Sequence, residues 1–204
     1  MIHKTYGLVD MKHLVIIGNG NIGQIVHWYA TLCRDYQVFW DIKCHIEDVE
    51  SYEIEPDDVF ISADVKPSDR IARASVIREK GGLFINIIHP TANIAPSAQL
   101  GTGIVVGAFT TISINTSIKN DVLIQDHCNI GHDGVVEEGS HLYVGVKLCG
   151  RNRVGANSSV FTSSVVYPDV KVGENCVVGA GSVVSRKVKD NDTVLGNPAK
   201  KLEL

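Results

Sequence analysis

From Ile88 onward the chain carries an aliphatic residue at every sixth position: Ile88, Ile94, Leu100, Val106, Ile112, Ile118, Ile124, Ile130, Val136, Leu142, Leu148, Val154, Val160, Val166, Val172, Val178 and Val184. No insertion interrupts the series. Four residues after each aliphatic runs a second channel of mostly small residues, among them Ala92, Ala98, Thr110, Thr116, Cys128, Gly134, Ser140, Ser158, Ser164, Cys176 and Ser182. A helix would repeat every three to four positions and a lone strand every two. A strict six, with one large and one small inward residue per unit, predicts short strands joined by tight turns and stacked as a solenoid. Glycine collects just after the aliphatic, at Gly101, Gly107, Gly131, Gly155, Gly173 and Gly179, and is expected to supply turn conformations that a Cβ disfavours.

Residues 1–86 follow another pattern. His13–Ile17 reads as a buried strand running into Gly18-Asn19-Gly20-Asn21-Ile22-Gly23 and a helix to about Cys33. Gln37–Asp41, Asp58–Ser62 and Leu83–Ile87 read as further strands. Pro67–Lys80 has helix-start chemistry in Pro67, Ser68 and Asp69 and a Gly81-Gly82 stop. The expected organisation is a small Rossmann-like βαβ unit over 1–86, α/β in class, followed by an all-β solenoid over 87–204.

The Gly18-x-Gly20-x-x-Gly23 loop lies between a strand and a helix, with Asp41 eighteen residues further on. Backbone N–H groups there favour a phosphate, and an acid at a strand end can take a ribose or base. A dinucleotide such as NAD, a nucleotide sugar, or a tight turn without ligand each fit that pattern. The candidate loop residues are Gly18, Gly20, Gly23 and Asp41.

Composition narrows the classes. Of 204 residues, 44% are hydrophobic but only 6% aromatic, which a solenoid core of Val, Ile and small residues explains. A net charge of −4 leaves no basic footprint for nucleic acid or anionic membrane. Leu14–Ile17 is too short for a signal h-region or a span, so a cytoplasmic location is expected. Five Cys are too few for a disulfide scaffold. Cys128 and Cys176 fall on the inward channel and read as buried. Three of eight His, at 127, 132 and 141, crowd together and fall outside the inward channels, so each is expected to point outward or into a corner. His3, His27 and His45 read as surface residues.

The aliphatic-Gly-x-x-small-x hexads, together with Asn86-Ile87-Ile88-His89-Pro90, Gly131-His132-Asp133, Ser140-His141, Gly145 and Gly196-Asn197-Pro198-Ala199-Lys200, resemble the sialic-acid O-acetyltransferase and UDP-4-amino-sugar N-acetyltransferase family of hexapeptide-repeat acyltransferases. The likeness runs from Lys12 to Leu202. It implies a left-handed parallel β-helix of about five eighteen-residue coils, a homotrimer with sites between neighbouring coils, acetyl-CoA as co-substrate, no metal, and a nucleotide-sugar acceptor. By the same resemblance His132 is the general base, Asp133 its orienting carboxylate, and Gly150, one coil above position 132, a backbone donor to the acetyl carbonyl. His141 is then near the thiol end of coenzyme A, and Thr162 and Ala180 line the pantetheine channel. Two departures fall in the nucleotide-binding part: Ile22 stands where the family has a loop His, and Ala63-Asp64-Val65-Lys66 replaces a Gly-Asn run followed by Arg.

The favoured activity is direct acetyl transfer to an amino group of a nucleotide-linked sugar. Hydroxyl acetylation of a sialic-acid-like sugar is the alternative. His127 and His132, five apart, also leave open a zinc site like that of γ-carbonic anhydrases. A sugar-nucleotide binder without catalysis is a further reading.

Overall fold

The computed structural model describes residues 11–34 and 40–203. The first unit is a parallel sheet of β1 (Lys12–Ile17), β2 (Trp40–Ile46), β3 (Asp58–Ser62) and β4 (Leu83–Phe84), in the order β2-β1-β3-β4. Helix α1 (Asn21–Arg34) follows β1, and α2 (Pro67–Glu79) links β3 to β4. Four consecutive β1 residues, Leu14 to Ile17, are fully buried, as expected of a central parallel strand covered on both faces. Pro67 opens α2, where its missing N–H is not needed. Gly81 (φ +91°) closes it, with Gly81 N–H on Arg78 C=O and Gly82 N–H on Ile77 C=O. The expected strand over residues 83–87 is shorter than that: Ile87 already belongs to the solenoid, where Ile87–Ile88 pairs with Val105–Val106. The predicted strand from Gln37 begins outside the described residues and is seen from Trp40 to Ile46.

The solenoid is a left-handed parallel β-helix whose two-residue strands stack eighteen residues apart on three faces. The first face holds Ile87–Ile88, Val105–Val106, Leu123–Ile124, His141–Leu142, Ser159–Val160 and Val177–Val178. The second face includes Thr111–Ile112, Asn129–Ile130 and Lys147–Leu148, and the third includes Ser117–Ile118, Val135–Val136 and Arg153–Val154. Nearly every aliphatic of the series from Val106 on is fully buried, and no aromatic enters this core. The small channel is buried as well. Its hydroxyls are satisfied by one rule: Thr110, Thr116, Ser140, Ser158 and Ser164 each donate to the carbonyl fifteen residues ahead, at 2.8–3.0 Å. That is why polar residues stand in a dry core at little cost.

The expectation for the glycines is corrected here. Left-handed conformations recur every six residues from Gly103 to Gly181, three places after each aliphatic, and Asn, Asp, Ser and His fill most of them. The glycines directly after the aliphatics have no such φ. They allow coils to approach: a Cβ on Gly131 would lie 2.6 Å from the backbone of Cys149, and one on Gly155 2.4 Å from that of Gly173.

The α/β unit packs on the first face. Ile87, Val105 and Leu123 join the core under α1. Arg70 of α2 is fully buried and donates to the carbonyls of Asp64, Asp121, Gly139 and Ser140, while Arg78 forms a two-point pair with the buried Asp121. Burial pulls the Arg70 guanidinium down to about 10, so it stays charged at neutral pH. Among the described residues no helix is long and apolar enough to cross a membrane.

Candidate active site at a coil edge and the glycine-rich loop

His132 stands at the edge between the second and third faces, in the turn from Asn129–Ile130 to Val135–Val136. Asp133 takes the left-handed position (φ +55°), which turns two neighbours that a strand would send to opposite sides toward each other. His132 Nδ1 lies 2.7 Å from Asp133 Oδ2. The carboxylate is held below its usual range by that bond first and by Asn115 next. In the neutral tautomer that donates Nδ1–H to Asp133, Nε2 carries the lone pair. It faces Gly150 one coil above, where a Cβ would fall 2.4 Å from Nε2. Both side chains remain about half exposed.

The other expected donor-site residues are not brought to this edge within one chain. Thr162 and Ala180 are exposed and stacked one coil apart, with Gly181 N–H on Thr162 C=O at 2.9 Å, but on the edge between the first and second faces. His141 lies on the first face. Instead of an open cleft it meets this chain's own α/β unit: it is fully buried, its Nδ1 bonds Val65 C=O at 3.0 Å, and it stacks on Tyr143, which stacks on Phe161. Burial first, then the charge of Arg70, pulls it down to about 3. His127 is exposed at a third position, stacked on Phe109 at 5.1 Å.

In the glycine-rich loop each glycine has its own reason. Gly18 has φ +106°, and a Cβ on Gly23 would sit 2.3 Å from Gly18 O, so strand and helix could not meet. Nothing lies within 4 Å of a Cβ on Gly20, leaving open space at the start of α1. Asp41 is corrected. It pairs with His13 at the start of β1, at the opposite end of the parallel sheet from the loop. Counting eighteen residues from the last glycine missed that β2 runs on to Ile46, so that Asp41 pairs with the start of β1 and not with its loop end. The acid at the loop end of β2 is Glu47, whose carboxylate accepts the Asn19 N–H at 2.6 Å and pairs with Arg73 at 2.9 Å. Arg73 also holds Asp64 at 2.7 Å.

The surface reading of His27 and His45 is corrected too. They stack 5.2 Å apart, half-buried, with His27 Nδ1 and His45 Nε2 at 2.9 Å and His45 Nδ1 at 3.1 Å from Gly18 O. An imidazole from β2 thus stands beside the loop although the loop itself has Ile22. His3 lies outside the described residues. Cys128 and Cys176 are buried as expected.

The family model described as bacterial transferase hexapeptide (six repeats) matches residues 153–186. The Escherichia coli carnitine operon protein CaiE is 31% identical over 133 residues, which cover 57% of this chain and 67% of that protein. Several other curated relatives are longer, and the chain spans only 26% to 34% of their length. Among solved structures, the acetyltransferase domain of PglB from Neisseria gonorrhoeae with acetyl coenzyme A superposes at a TM-score of 0.86, with 24% identity, covering 95% of this chain and all of that one. PerB from Caulobacter crescentus, in complex with CoA and GDP-perosamine, gives 0.84 at 24% identity, covering 95% and 99%. The hexad series, the coil it builds and these matches agree: the chain belongs to the hexapeptide-repeat family of bacterial transferases.

Proposed function

We propose that this protein transfers an acetyl group from acetyl-CoA to the amino group of a nucleotide-linked sugar, directly and without an acyl-enzyme. The observation that carries the reading is the His132–Asp133 dyad, with Nε2 facing Gly150 one coil above. His132 Nε2 takes the proton as the neutral amine attacks the thioester carbon, and Asp133 holds the tautomer and stabilises the imidazolium. The Gly150 N–H receives the carbonyl oxygen as it gains charge. The C–S bond then breaks and coenzyme A leaves as thiolate to be protonated. PglB and PerB, whose structures carry acetyl-CoA or CoA and, for PerB, an amino-sugar nucleotide, support the donor and the acceptor class.

For the acceptor we assign the open space at Gly20 and the α1 start to the pyrophosphate, and Glu47 rather than Asp41 to a ribose hydroxyl. The α/β unit covers the first face, while the dyad occupies the edge opposite it. One chain therefore cannot bring its own acceptor domain to its own base. A homotrimer, in which the edge of one β-helix meets the face and α/β unit of the next, supplies both, and also brings Thr162 and Ala180 of one copy beside Gly150 of another.

The test is thiol release from acetyl-CoA against UDP-, dTDP- and GDP-linked amino sugars, with sialic acid as the hydroxyl acceptor. Turnover with an amino sugar is expected. His132→Ala should lose about 10²–10⁴-fold in kcat with acetyl-CoA affinity kept. An unaffected His132→Ala rate would sink the assignment of the base, and turnover with the hydroxyl acceptor alone would move the reading to O-acetylation.

A further inference from the structure

The dyad is one rung of a polar ladder. Asn115, Asp133, Arg151 and Asp169 occupy the same corner in four successive coils, each in the left-handed conformation (φ 57°, 55°, 58° and 64°). Asn115 Nδ2 donates to Asp133 Oδ1 at 3.1 Å, which leaves Oδ2 for His132. Asn115 is itself anchored below, its backbone N–H on Ser97 Oγ at 3.1 Å. Above, Arg151 Nε and Nη2 grip Asp169 at 2.6 and 2.9 Å. Asp133 meets the imidazole from its own turn, Arg151 acts on Asp133 from the turn above, and Asp169 holds Arg151 from the one above that. Elsewhere such ladders only staple turns, as Asn157 does to Asn175 at 2.6 Å. At this corner the rung carries a base.

We propose that Asn115 and the Arg151–Asp169 pair are positioning residues for the His132–Asp133 dyad, Asn115 fixing which carboxylate oxygen meets the imidazole and the ion pair setting the field around it. The proposal rests on the acyl-transfer reading above. Neither contact touches the acceptor or the thioester. Their effect passes through Asp133 and the imidazole.

The experiment uses Asn115→Asp, Arg151→Gln and Asp169→Asn in the full chain. All three corners are exposed, and Asp tolerates a left-handed φ. Two readouts are taken: the pH profile of kcat/KM for acetyl transfer, and NMR titration of the His132 imidazole, identified by its loss in His132→Gln. Asn115→Asp adds a negative charge and Arg151→Gln removes a positive one. Both should move the acid limb and the NMR midpoint to higher pH. Asp169→Asn unmasks Arg151 and should move both to lower pH. Arg151→Lys, which keeps the charge, should restore most of the Arg151→Gln shift. Opposite signs for Arg151→Gln and Asp169→Asn are not what a loss of stapling produces. Equal or absent shifts overturn the proposal. If the unmodified protein transfers no acetyl group, the acyl-transfer reading falls, and the NMR titration alone still decides whether these residues hold the dyad.

Discussion

At Gly150 the space for a side chain is already filled by an imidazole. Gly150→Ala places a methyl 2.4 Å from His132 Nε2, so the ring must rotate away. A displacement on the order of 1 Å at a reacting group costs ~10²-fold, so kcat should fall by about that factor while the melting temperature changes little. Loss of folding instead of turnover would mean that the position is structural. The same residue shows what the sequence could and could not reveal. A glycine eighteen places after a candidate base is legible from periodicity. The contact between them is not, because it depends on the χ angles of His132. Asp41 marks the opposite failure: counting residues along the chain cannot say at which end of a strand an acid lies, and Glu47, six residues later, is the one at the loop. The His27–His45 pair escaped for the same reason, since helix and strand bring together residues eighteen apart that no shared period connects.

Among elements, the solenoid was almost wholly readable, because every inward position obeys one period and five buried hydroxyls find their carbonyls by the same offset. The α/β unit was readable in its strands and helices but not in how it seats. The seat is made by Arg70, Arg78 and His141, three residues on no common pattern, which bind carbonyls and a carboxylate across the junction. His141 makes that seat sensitive to acid. An unfolded His gains its proton near pH 6.5, whereas here burial holds it neutral down to about 3. The stabilisation is therefore fully present above pH 6.5 and declines as pH falls from there toward 3. Thermal melts across pH 7 to 4 should show a steeper loss for the natural chain than for His141→Gln. Parallel curves would mean that the imidazole is not held neutral by its burial.

For the whole molecule, the covered first face and the bare dyad edge predict that activity belongs to a pair of chains. Protomers with His132→Ala and protomers with Glu47→Arg, each expected to be inactive alone, should regain a measurable share of turnover when refolded together, since some sites then join an intact base to an intact acceptor domain. No recovery in mixed assemblies would place base and acceptor domain in the same chain. Sedimentation at micromolar concentration gives the number of chains independently.

The left-handed turn recurs every six residues from 103 to 181 without a missed beat, and this makes the β-helix behave like a combination lock. A deletion of six residues above Gly150 keeps every later aliphatic pointing inward and every later hydroxyl paired, so the dial still turns freely. Yet it rotates Thr162, Ala180 and everything beyond by one face relative to His132. A deletion of eighteen realigns the faces but shortens the distance along the axis by one notch. Folding tolerates any multiple of six, while the faces stay aligned only for multiples of eighteen. Insertions in such chains are thus filtered by two different rules, and a variant can melt normally while its site no longer lines up.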